Sequence, residues 1–154
     1  LSFSFNLLVL FFNLILIFIW YSKGILKMTE VYRMDDKELG RRGEEAAAQY
    51  ICSQKHYSLL CKNYRSRLGE IDLIAQDGSV IVFIEVKTRN SRHYGQPAEA
   101  VEKHKQHKLT LAAKSYLSRY GLWHRPCRFD VIEVMPSAAG FCIHHIPHAF
   151  WSVE

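Results

Sequence analysis

Residues 69 to 87 read Gly69-Glu70-Ile71-Asp72-Leu73-Ile74-Ala75-Gln76-Asp77-Gly78-Ser79-Val80-Ile81-Val82-Phe83-Ile84-Glu85-Val86-Lys87. Asp77-Gly78 separates two runs rich in β-branched residues, the strongest short-range signal for a β-hairpin. With Asp77 and Gly78 as the central turn residues, Ile74 faces Ile81, Asp72 faces Phe83 and Glu70 faces Glu85. Side chains alternate across a strand. Ile71, Leu73, Val80, Val82, Ile84 and Val86 therefore form one wholly apolar face, while Glu70, Asp72, Ile81, Phe83, Glu85 and Lys87 share the other. On that second face Asp72 and Glu85 become diagonal neighbours with backbones roughly 7–8 Å apart, near enough to reach one cation.

Two readings of these charges compete. They are a solvated face with an incidental ion pair, or they line a cleft that does chemistry. Ile81 and Phe83 on the same face favour the cleft. Buried carboxylates without partners are costly, and two side by side repel unless a cation or proton lies between them. A hard divalent ion suits such a pair, Mg²⁺ first (or Mn²⁺), because it accepts one or two carboxylates and keeps its other positions for water and phosphate oxygens. Lys87, two residues beyond Glu85 on the same face, is placed to orient a water or to neutralise charge developing on phosphorus.

Helices and further strands surround the hairpin. Asp35 or Asp36 can cap a helix running to about Gln54, with Leu39, Ala46, Ala47, Tyr50 and Ile51 as its apolar stripe. Gly40 and Gly43 lower helical propensity there, and close approach of the backbone to DNA is the expected reason for them. Tyr57 to Tyr64 reads as the first strand, Ala98 to Arg119 as a long helix ended by Gly121, and Arg128 to Val134 and Phe141 to Ile146 as later strands. The fold class expected is α/β: a mixed central sheet, its hairpin carrying the site, flanked by helices.

In order and spacing, Leu39-Gly40-Arg41-Arg42-Gly43-Glu44, Asn63-Tyr64-Arg65, Gly69 to Ala75, Phe83 to Arg89 and Arg128-Phe129-Asp130-Val131 resemble the bacterial YraN family. That family is similar to archaeal Holliday-junction resolvases within the PD-(D/E)xK nuclease superfamily. The resemblance implies a restriction-endonuclease-like core and a metal-dependent endonuclease acting on DNA, branched or damaged structures included. It implies catalytic roles for Glu44, Asp72, Glu85 and Lys87, with Asp72, Glu85 and the Val86 carbonyl as metal ligands and Glu44 completing the acidic site over the hairpin. It also implies a homodimer, since cutting a four-way junction takes two sites. One superfamily feature is missing: at the Gln-x-x-x-Tyr position of some relatives, Gln106 is followed by Thr110. Two other readings stand beside this one. The first is a nucleic-acid-binding protein that keeps the fold without turnover; the second is a membrane-anchored scaffold.

The chain has 154 residues, enough for one domain of ordinary size at residues 28–154 after a leader at 1–27. The first 21 residues are apolar apart from Ser2, Ser4, Asn6 and Asn13, a length that suits a membrane-spanning helix. Lys23 and Lys27 follow it, which would leave the remainder in the cytoplasm. Because ordinary composition begins at Met28, the preferred reading is a mis-called start, with a membrane anchor as its alternative. Net charge is +5, and +3 from Met28 on, where 18 basic residues face 15 acidic ones. Distribution says more than total. Arg41 and Arg42, Lys62 to Arg67, Arg89 and Arg92, and Lys103, Lys105 and Lys108 cluster around the acidic centre. Arg41, Arg42, Arg65, Arg67, Arg89 and Arg92 are the residues expected to bind nucleic acid. Cys52, Cys61, Cys127 and Cys142 lack metal-binding spacing and are expected as free, mostly buried thiols; the eight histidines lack a zinc pattern as well.

Overall fold

The computed structural model describes residues 14–23, 25, 34–89, 102–138 and 140–152. Helix α1 spans Asp36–Ser53, and its start is fixed by Asp35, whose Oδ1 accepts the Glu38 N–H at 2.7 Å. Its stripe of Leu39, Gly43, Ala47, Ala48 and Ile51 is buried. Three antiparallel strands follow: β1 at Ser58–Ser66, β2 at Gly69–Asp77 and β3 at Val80–Thr88. Helix α2, Lys103–Arg119, carries the chain across to β4, Cys127–Ser137, which pairs parallel to β3, and β5, Gly140–Phe150, returns antiparallel to β4. The result is a five-stranded mixed sheet in the order β1-β2-β3-β4-β5. A helix lies on each face, so the expected α/β class holds. A parallel pair needs such a helical crossover, because no tight turn can join its strands.

The hairpin forms as expected but slides. Asp77 pairs with Val80, so Gly78 and Ser79 make the turn, and Ile74 faces Phe83 rather than Ile81. Gly78, at φ 57°, takes the leading turn position, where a left-handed backbone is wanted and only glycine adopts it without strain. The slide is even-numbered, so most side chains keep their faces. Leu73, Ala75, Val82 and Ile84 pack with Ile132 and Val134 under Ala47, Ala48 and Ile51 of α1. Ile74, Ile81 and Phe83 pack with Phe129 and Val131 under Leu109, Ala112, Ala113, Tyr116 and Leu117 of α2. Ile71 is the exception: it joins the α2 side with Tyr64. Alternation breaks there because Asn63, between the paired positions Lys62↔Leu73 and Tyr64↔Ile71, has a left-handed backbone at φ 51°.

Other boundaries shift. Helix α2 starts at Lys103, not Ala98, since Glu102 is extended (φ −56°, ψ 147°); residues 98–101 lie outside the described ones. Gly121, at φ 65°, follows its end as expected. The first strand runs to Ser66 and the last to Phe150. The thiols are free, but Cys52, Cys127 and Cys142 are exposed rather than buried. Residues 14–23 are helical, with exposed side chains from Leu14 to Tyr21. Among the described residues no helix is long and apolar enough to cross a membrane; most of the leader lies outside them.

Candidate functional site

The two acids of the hairpin lie just past the end of its ladder. The β2–β3 ladder ends at Leu73↔Ile84, and just beyond it Asp72 lies close enough to Glu85 to feel its charge. There the Val86 N–H donates to Asp72 Oδ2 at 2.7 Å. Glu85 is only 4% exposed, above the floor of Ile81 and Phe83. Lys87 Nζ lies 3.0 Å from Glu85 Oε1, and Lys105 Nζ, from the first turn of α2, lies 3.2 Å from Oε2. Lys105 acts on Oε2 as a charge outside hydrogen-bond geometry, and Oε2 is buried with no hydrogen-bond donor. Glu44, half-buried on α1, adds its negative charge to the surroundings of Asp72.

Helix α1 reaches this region through Gly43. A Cβ at that position would lie 2.0 Å from Thr88 Oγ1, so the helix touches the end of β3 only because the residue has no side chain. This contact within the protein is one reason for the bare backbone of Gly43. Around Gly40 the space is open.

Burial pushes the Asp72 carboxyl up from 3.8 to about 7, and repulsion from Glu85 and Glu44 adds to it; the Val86 N–H and Lys105 oppose the rise. The sign of the consequence follows from proton counting. Between about pH 4 and about pH 7 the folded protein holds a proton that the unfolded chain has lost, so stability falls as pH rises through that window and levels off above it. Asp72→Asn should flatten this slope in urea unfolding measured with EDTA present. An unaltered slope in the variant would place the titration elsewhere.

Two neighbouring carboxylates, one of them with a buried oxygen that has no hydrogen-bond donor, suit a hard divalent ion. No group of three or more His, Cys, Asp or Glu gathers for a metal among the described residues. Zinc would want such a group; Mg²⁺, which keeps several waters, does not.

The expected phosphate ligands divide. Arg41 holds Glu38 at 2.8 Å and also pairs with Glu45, and Arg42 lies 3.1 Å from Glu38. Both are engaged by acids of their own helix. Arg65 is well exposed, 3.7 Å from Glu70. Arg89 lies 3.7 Å from Glu133. Arg92 lies outside the described residues. Arg65 and Arg67 line a groove of about 490 Å³ with Ser66, Leu68, Gly69, Glu70, Lys105 and Lys108.

Two residues beside the acids were not singled out from the sequence. Lys105 was one of a basic cluster, and its contact with Glu85 joins a helix to a strand far away in sequence. Glu133 pairs in register with Lys87 across the parallel strands and is 9% exposed, with His144 Nδ1 at 3.2 Å. An acid inside Val131-Ile132-Glu133-Val134 was its only sequence signal.

The Arg128 to Val131 segment has a different job. Asp130 is fully buried and accepts from Arg128 Nε at 3.1 and 3.2 Å, His145 Nε2 at 3.0 Å and the His148 N–H at 3.0 Å. Arg128 also donates to Asp77 at 3.0 Å and to the Tyr57 hydroxyl at 2.9 Å. Two of the histidines thus serve a structural network that ties β4 to β5 and to the hairpin.

Residues 43–134 match the uncharacterised protein family UPF0102, and the chain belongs to that family. It is 51% identical over 104 residues to a UPF0102 protein of Symbiobacterium thermophilum, covering 68% of this chain and 87% of that protein. It is 47% identical over 114 residues to one from Alkaliphilus metalliredigens, covering 74% and 98%. A relative from Geobacter metallireducens is 44% identical over 117 residues, covering 76% and 95%.

Proposed function

We propose that this UPF0102 member is a divalent-metal-dependent endonuclease that hydrolyses phosphodiester bonds in DNA. One observation carries the reading: Asp72 and the buried Glu85 lie close enough for their charges to repel, with Lys87 beside Glu85 at 3.0 Å. Asp72, Glu85 and the Val86 carbonyl would hold Mg²⁺ or Mn²⁺, which when bound supplies Lewis acidity to a phosphate and its attacking water. To hold the cation, Asp72 would have to be ionised, its proton released to solvent. Lys87 holds the water or faces the charge that gathers on the phosphoryl oxygens, and Glu44 extends the negative wall from α1. Arg65, Arg67 and Arg89, with Arg92, grip phosphates without reading bases. A homodimer would present two such sites to a branched substrate.

Mn²⁺ in hundredfold excess over its Kd should stabilise the protein by about 2.7 kcal/mol, seen as a rise of several degrees in Tm. Asp72→Asn should lose that rise while folding normally, and an unchanged Mn²⁺ response would remove Asp72 from the ligand set. Cleavage of linear, flapped and four-way DNA with Mg²⁺ or Mn²⁺ then tests turnover. A second reading, nucleic-acid binding without turnover, draws on Lys105, which already neutralises Glu85; wild-type protein inert on the whole panel would favour it.

A further inference from the structure

Lys105 belongs to two places at once. Its ammonium lies 3.2 Å from the buried Glu85 Oε2, and its side chain, 31% exposed, also lines the groove of about 490 Å³ between the β1–β2 turn and α2. That groove is held narrow by backbone: a Cβ on Gly69 would stand 2.7 Å from the Lys108 carbonyl oxygen. Its charged residues are Arg65, Arg67, Lys105 and Lys108 against the single acid Glu70, which Arg65 meets at 3.7 Å. Such a groove suits one phosphodiester strand, gripped by charge and indifferent to base sequence.

The oxygen that Lys105 covers is the one left without a hydrogen-bond donor. An ammonium and a divalent ion cannot share it closely, because like charges in a poorly solvated pocket repel. We propose that Lys105 is an exchangeable counter-ion: a divalent cation displaces its ammonium from Glu85, and the freed ammonium turns into the groove to bind a strand phosphate. Four rotatable bonds allow the swing without moving α2. Metal and strand binding are then coupled through one side chain, and the coupling is reciprocal. The inference rests on the proposed metal site, but it concerns binding and not turnover.

Three proteins and two ligands test it. Mn²⁺ affinity, measured by calorimetry without nucleic acid, should rise about tenfold in Lys105→Met, because a competing cation is gone. A fluorescent oligothymidine supplies the second reading. In EDTA the Lys105→Met variant should bind it as the wild type does, since Lys105 is then engaged by Glu85. With Ca²⁺ the variant should bind roughly fivefold more weakly than the wild type. Lys108→Met, lining the same groove away from Glu85, should lose affinity under both conditions. Lys105→Arg, which keeps a cation, should follow the wild type. Mn²⁺ affinity unchanged or weakened in Lys105→Met, or a strand-affinity loss equal in EDTA and Ca²⁺, overturns the proposal, and so does a wild type that binds no Mn²⁺. The full pattern in a protein that cuts nothing supports the exchange and refutes the nuclease. Cleavage by the wild type with Lys105→Met indifferent in both assays does the reverse.

Discussion

Lys87→Ala is expected to lower single-turnover cleavage in Mg²⁺ by about 100- to 1,000-fold, the usual loss when one preorganised donor to a transition state is removed. Binding of the same DNA in EDTA should change little. The asymmetry follows from where the ammonium sits. Lys87 Nζ is 3.0 Å from Glu85 Oε1 and two-thirds buried, so in the ground state its charge is largely spent on a carboxylate. Charge that appears on phosphoryl oxygens during reaction gives it a second partner, and only interactions strengthened in the transition state raise the rate. Asp72→Ala and Glu85→Ala should differ in kind: in EDTA they remove negative charge that repels phosphate, and DNA binding should tighten. Parallel losses of affinity and rate in Lys87→Ala would make it a phosphate anchor and reject the catalytic role.

Asp130→Ala is expected to cost about 3–5 kcal/mol of folding stability, the range for breaking a buried charge pair from one side. The substitution strands several groups together. Arg128, 9% exposed at its side chain, would keep only the half-exposed Asp77 and the Tyr57 hydroxyl, and the His148 N–H would lose its acceptor. His145, whose Nδ1 is already buried without a partner, would lose the hydrogen bond at Nε2 while keeping its edge contacts with Tyr50 and Tyr57. Burial alone would raise the Asp130 pKa, but the His145, Arg128 and His148 hydrogen bonds outweigh it and hold the carboxyl below its ordinary value. A depressed carboxylate contributes fully above the unfolded-state value and loses its contribution as pH falls through the folded one. The gap between wild type and variant should therefore narrow in acid. Urea midpoints at neutral and acidic pH read both effects, and a cost below about 1 kcal/mol would mean that the network relaxes around the gap.

The hairpin was legible because its signals are local. Asp77-Gly78 marks the turn, and alternation sorts the faces. The turn itself was misplaced by one residue, which slid the register by two and left most faces intact. Ile71 was misassigned because the left-handed Asn63 breaks alternation on the neighbouring strand, and nothing in residues 69 to 87 carries that signal. Lys105 and Glu133 stayed hidden for another reason. Each reaches its neighbour through a pairing distant in sequence, Lys105 across a helix–sheet interface and Glu133 across a parallel ladder. Residue spacing within a hairpin cannot report such contacts. For Gly43 the need for a bare backbone was readable, but its neighbour proved to be Thr88.

That contact has a mechanical consequence. Gly43 adjoins Glu44 and Thr88 adjoins Lys87, so the seam where helix meets strand lies one residue from each side of the acidic cleft. The bare backbone of Gly43 rests on the Thr88 side chain, so this jaw is close-packed, and any larger residue at position 43 would push helix and strand apart. The opposite jaw is built differently: α2 meets Glu85 through the long, bendable stem of Lys105. That stem gives the cleft one side that can adjust to its contents.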